Sequence, residues 1–134
     1  MTTKQHTIFD KIIRKKVAAF IIYETKENIA FFDRKPVCGG HTLVVPKKAY
    51  KSLFDIPEKE LKSLILAVKD VAEILKKKLG AEGINILHAS EEVAQQSVLH
   101  FHFHLIPRKK GDNLDMWPKV DYKEIDLKKV FSKF

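Results

Sequence analysis

From His100 to Leu105 the chain reads His-Phe-His-Phe-His-Leu, with imidazole and apolar side chains alternating at period two. This is the pattern of a half-buried strand: one face carries His100, His102 and His104, the other Phe101, Phe103 and Leu105. Pro107 is expected to end the strand, because it has no N–H for the ladder. At the rise of a strand, neighbouring imidazoles stand ~6.6 Å apart and the outer two ~13 Å. A metal with bonds of ~2.0–2.1 Å cannot gather both outer rings from one regular strand, although an adjacent pair could supply two ligands. Packing explains one histidine on an apolar strand and explains three in register poorly. Imidazole changes charge near neutral pH without help, so the row points to acid–base and nucleophilic chemistry.

The rest of the chain supplies elements to frame that strand. Thr7 is a suitable N-cap for a short helix from about Ile8 to Lys15, with Ile8, Phe9, Ile12 and Ile13 on its apolar side. Val17 to Glu24 and Ile29 to Phe32 have strand composition and are joined by the turn Thr25-Lys26-Glu27-Asn28. Gly39-Gly40 permits a sharp path into a strand from Thr42 to Val45, with His41 at its start. The span from Pro57 to Leu79 is the one long helix, stopped at Gly80 and capped from Asp55 in place of Ile56. Its apolar stripe is Leu61, Leu64, Ile65, Val68, Ala72, Leu75 and Leu79. A further strand runs from Gly83 to His88, and Asp126 can cap a short helix to Phe131. Antiparallel strands interrupted by one long helix give an α+β domain with a sheet of about five strands and a short N-terminal helix. The 134 residues are expected to form a single domain, 1–134, with a core at about 6–118 and a tail at 119–134.

The net charge of +8 raises the possibility of nucleic-acid binding. The lysines are dispersed, however, and Lys76-Lys77-Lys78 falls at a helix C-terminus, where it complements the dipole. Aromatic residues do not interleave a basic stripe, so nucleic acid ranks last among the partners considered, and the charge is read as solvated surface favouring phosphate-bearing ligands. The lone Cys38 excludes an internal disulfide and suits a reducing compartment. No apolar run approaches a membrane span and no signal-type segment opens the chain, so the expected location is the cytoplasm.

Residues Gln96 to Arg108, Gln-Ser-Val-Leu-His-Phe-His-Phe-His-Leu-Ile-Pro-Arg, resemble the signature of the histidine-triad (HIT) family of nucleotide-binding hydrolases. The likeness continues upstream in Thr7-Ile8-Phe9 through Lys15, in Ala30-Phe31-Phe32-Asp33, and in Gly40-His41-Thr42-Leu43-Val44-Val45-Pro46-Lys47. These stretches, together with Met116-Trp117-Pro118, are most similar to the HINT branch, the nucleoside phosphoramidases. Three positions depart from the family pattern: Ala89 stands for an asparagine, and Glu91 and Gln95 for glycines.

The resemblance implies a homodimer that cleaves purine nucleotide conjugates at the α-phosphate through a nucleotidyl-histidine intermediate. It implies His102 as nucleophile, with His104, Gln96 and Ser97 stabilising phosphate charge and His100 and His41 holding protons. Asp33 would accept the ribose hydroxyls, and Ile8, Phe9, Ile12 and Phe31 would line the nucleobase pocket. Many relatives carry a Cys-x-x-Cys zinc pair where His6 or Thr7 and Asp10 stand here, and Ala49 replaces a histidine. No metal and no cofactor are therefore expected. Two rivals stay open: a dinucleoside polyphosphate hydrolase on the same fold, and a nucleotide-binding regulatory protein without catalysis.

Overall fold

The computed structural model describes residues 7–117 and 119–134. His6, and Pro118 of the Met116-Trp117-Pro118 run, lie outside the described residues. Helix α1 spans Ile8–Ile13 and opens with a capping box. Thr7 Oγ1 accepts from the Asp10 amide at 3.3 Å, and Asp10 Oδ2 accepts from the Thr7 amide at 3.1 Å. The helix ends short of the expected Lys15, because Lys15 turns to φ 61°. Strand β1 (Ile21–Glu24) starts later than Val17, and β2 (Asn28–Phe32) returns antiparallel to it. Strand β3 (Thr42–Pro46) follows, then α2 (Glu58–Leu79), β4 (Gly83–Leu87), β5 (Phe103–Arg108) and a last short helix, α3 (Leu127–Phe131).

The five strands form one antiparallel sheet in the order β1-β2-β3-β5-β4. Both faces are covered at its centre, which is why β2 and β3 read as continuous apolar runs. On one face α2 lays Leu64, Ala67, Val68, Val71 and Leu75 against Ala30, Val44, Phe101 and Leu105. On the other, Phe9 and Ile12 of α1 pack on Ile29, Phe31, Leu43 and Val45. The buried side of α2 differs from the expected stripe. Ala67 and Val71 face inward while Ile65 is 46% exposed, because small residues at the contact let the helix approach the sheet. Pro57 is the N-cap of α2 and makes no side-chain cap bond, so Asp55 does not take that part. Gly80 closes the helix in the left-handed region, as expected.

The triad strand needs two corrections. Regular pairing begins only at Phe103, so His100 and His102 lie before the strand. Pro107 does not end it but sits inside, opposite Ile84 of β4. Its carbonyl faces the other way, toward Cys38 Sγ, beyond the point where β3 pairing stops at Thr42–Leu105. On that side the strand is an edge, and a missing N–H costs no ladder bond. Among the described residues no helix is long and apolar enough to cross a membrane.

Candidate active site

Three chain segments meet at the triad. The first is the end of β2, which delivers Asp33. The second is the turn into β3. Gly40 there has φ 96°, and a side chain would strike Leu79 Cδ1 at 2.5 Å, so only glycine lets the chain pass and bring in His41. The third is the irregular run before β5, which carries His100 and His102 ahead of His104. Because that run is not a regular strand, the His102 and His104 rings approach to 4.9 Å between centroids, closer than strand spacing would put them.

Hydrogen bonds assign the proton on each ring. His102 Nδ1 lies 2.7 Å from the His100 carbonyl, which can only accept, so Nδ1 carries the proton and Nε2 keeps its lone pair. His41 is the reverse. The Val37 amide donates to its Nδ1 at 3.2 Å, leaving the proton on Nε2, which lies 2.9 Å from His104 Nδ1. Neutral His104 then carries its own proton on Nε2. Asp33 Oδ2 stands 3.5 Å from His41 Nε2 and 3.9 Å from His104 Nδ1, while Oδ1 accepts from the Lys35 amide. Burial pushes all four imidazoles below the usual histidine range. In His104, burial and then repulsion from His102 and His41 bring the value to about 4. The rings are therefore neutral at pH 7.

Asp33, His41 and His104 offer ligand atoms all within 4.8 Å of one another, a separation a metal could bridge. The tautomer argues against it. An imidazole that binds metal through Nε2 carries N–H at Nδ1, and in His41 that N–H would meet the Val37 N–H head-on. The cluster is suited to sharing protons. Thr7 and Asp10 are committed to the capping box of α1.

Two expected site residues are placed elsewhere. His100 is fully buried, its Nε2 donating to the Pro46 carbonyl and its unpartnered Nδ1 3.8 Å from Asp10 Oδ1. It cannot exchange protons with a bound ligand, and its part is to present the carbonyl that orients His102. Gln96 is 6% exposed and has no donor left for phosphate. Its amide donates to the Lys51 and Val98 carbonyls and accepts from the Glu91 amide, pinning the loop. Ser97 next to it is exposed. Phe9, Ile12 and Phe31 are closed into the core under α1, with Phe9 edge-on to His102 at 5.1 Å, and only Ile8 of the expected pocket residues keeps appreciable surface. The cavity that opens beside Asp33 and His41 is about 610 Å³, and its apolar walls are Ala18, Ala19, Phe20 and Phe32. Sequence reasoning missed these walls, and it missed His88, whose ring lies behind the triad strand against Phe101.

The model of the HIT domain matches residues 14–111. The chain belongs to the HIT family. An uncharacterized HIT-like protein of Methanocaldococcus jannaschii is 44% identical over 123 residues, which cover 92% of this chain and 94% of its own. The adenosine 5′-monophosphoramidase of Saccharomyces cerevisiae is 36% identical over 113 residues, covering 83% of this chain and 69% of its own. A histidine triad nucleotide-binding protein from Candida albicans has a similar solved structure, with a TM-score of 0.78 at 32% identity, covering 94% of this chain and 92% of its own. The five-stranded sheet with one long helix is thus the HIT fold.

Proposed function

We propose that this HIT protein hydrolyses nucleoside 5′-phosphoramidates of the purine series. The observation that carries the reading is the bond from His102 Nδ1 to the His100 carbonyl, which leaves a neutral, correctly oriented Nε2 as nucleophile. His102 Nε2 attacks the α-phosphorus, the N–P bond forms, and the bond to the leaving nitrogen breaks. The leaving nitrogen takes a proton from the His41–His104 pair. Bound phosphate and the neighbouring Asp33 favour an added proton on that pair, which is absent from the free protein. Water then attacks the nucleotidyl-histidine, returns a proton to the pair, and releases nucleoside monophosphate and free His102. Ser97 and His104 stabilise charge on the non-bridging oxygens. The cavity beside Asp33 has the volume and apolar walls for a nucleobase, with Asp33 at the ribose hydroxyls.

The working unit we propose is a homodimer. Strand β4 is an open sheet edge on which Ile86 is 48% exposed, and edges of this kind pair with a second copy unless they are blocked. Free Cys38 suits a reducing compartment, and we place the activity in the cytoplasm.

The test is turnover of adenosine 5′-phosphoramidate, with diadenosine tetraphosphate as the competing substrate and His102→Ala as control. Phosphoramidate turnover lost in His102→Ala, with a mass increment of one nucleotidyl group trapped on His102 in the wild type, supports the reading. Faster turnover of the dinucleotide would transfer the mechanism to the rival substrate class. Nucleotide binding without turnover of either substrate would sink the hydrolase reading.

A further inference from the structure

We infer that His88, braced by Ser90, is a positioning residue that aims His102; the inference rests on the nucleophile assigned under the proposed function. Strand β4 ends at Leu87, paired with His104. Two further residues in the same register would set Ala89 opposite His102, where its amide would donate to the His102 carbonyl. The chain leaves the strand instead, and the His88 ring takes that place, with Nδ1 2.9 Å from the His102 carbonyl. That carbonyl can only accept, so Nδ1 carries the proton.

The opposite nitrogen is held as firmly. Ser90 Oγ already accepts from the Leu53 amide at 2.9 Å, which turns the hydroxyl proton toward His88 Nε2, its other close partner. The ring stacks on Phe101 at 4.4 Å and 26°, and touches Phe103 at 5.4 Å. A side chain two residues from Ser90 and fourteen from His102 therefore fixes the peptide that leaves the nucleophile. The His100–Phe101 peptide, whose carbonyl accepts from His102 Nδ1, is fixed from the other side by the Phe101 amide donating to the Tyr50 carbonyl. Nδ1 of His102 spans back to His100, so its ring can hold one direction only while both peptides stay still.

The test compares His88→Phe, which keeps the stack on Phe101 but removes both ring nitrogens, with His88→Gln, whose amide can donate to the same carbonyl. Phosphoramidate turnover is expected to fall about tenfold in kcat for His88→Phe with KM within about twofold, and to recover most of the loss in His88→Gln. A readout independent of turnover accompanies it: the His102 Nδ1–H signal in ¹⁵N-histidine spectra, sharp in wild type and His88→Gln and broadened by exchange in His88→Phe. Should His88→Phe fail to fold, His88→Leu takes its place under the same criteria. A folded variant lacking the ring nitrogens that keeps wild-type kcat and an unbroadened signal overturns the inference, as do equal losses in both variants. A wild type without turnover would count against the hydrolase reading alone, and the Nδ1–H signal would then decide the positioning.

Discussion

The Val37 amide lies 3.2 Å from His41 Nδ1, and that one contact orders the protons of His41 and His104. It places the His41 proton on Nε2, toward His104, and makes His104 Nδ1 the acceptor at 2.9 Å. His102 is ordered independently through the His100 carbonyl. In long-range ¹H–¹⁵N spectra at pH 7, His41 is expected as the Nε2–H tautomer and His102 as the Nδ1–H tautomer. An Nδ1–H signal from His41 would contradict the assignment and reopen the metal alternative at Asp33, His41 and His104.

Burial lowers the pKa of His41, His100, His102 and His104. Below the ordinary histidine value of 6.5 the unfolded chain binds protons that the folded protein refuses, so stability falls with falling pH. The window runs from 6.5 down to about 4 for His104. Thermal melts are expected to show Tm declining from near pH 6.5, by on the order of 5 °C before pH 4.5. A flat Tm across that window would show the rings to be charged or exposed.

Glu91 has φ 79° and ψ 155°, a region that glycine alone adopts without cost, and Gln95 has φ 71°. The resemblance described above implies glycine at both positions, and the backbone holds a conformation that a glycine takes without strain. The Glu91 side chain pairs with Lys51 at 3.0 Å, an exposed contact of small value. Glu91→Gly is expected to raise stability by about 1 kcal/mol in urea melts, and Glu91→Ala not at all. A Glu91→Gly variant less stable than wild type would mean that the Lys51 pair outweighs the strain.

Gln96 holds three backbone groups through one buried amide. Gln96→Ala leaves these partners without it and is expected to cost about 2 kcal/mol. A phosphate-binding role would instead raise KM and leave Tm alone, and the two measurements together separate the cases.

The family and the location of the candidate site were legible in the sequence because they rest on residue types at short spacing. Three imidazoles at period two marked the triad, although only His104 lies in the strand, and Thr7, Gly40 and Gly80 marked a cap, a sharp turn and a stop through local backbone sterics. The fold class followed from the same patterns. What the sequence could not assign was what each polar atom faces. His100 has the same residue type and period as His102, yet it is sealed under Phe9 with Nε2 on Pro46, fifty-four residues away. Gln96 looks like a ligand contact and is a staple to Lys51. His88 reads as the last residue of a strand and stands behind His102, against its carbonyl. Phe9, Ile12 and Phe31 read as pocket walls and became core once α1 closed on the sheet. Local propensity and periodicity are properties of neighbouring residues, so the sequence alone determines them. Tautomer, burial and hydrogen-bond partner depend on atoms brought together from distant segments, and only the tertiary structure decides them.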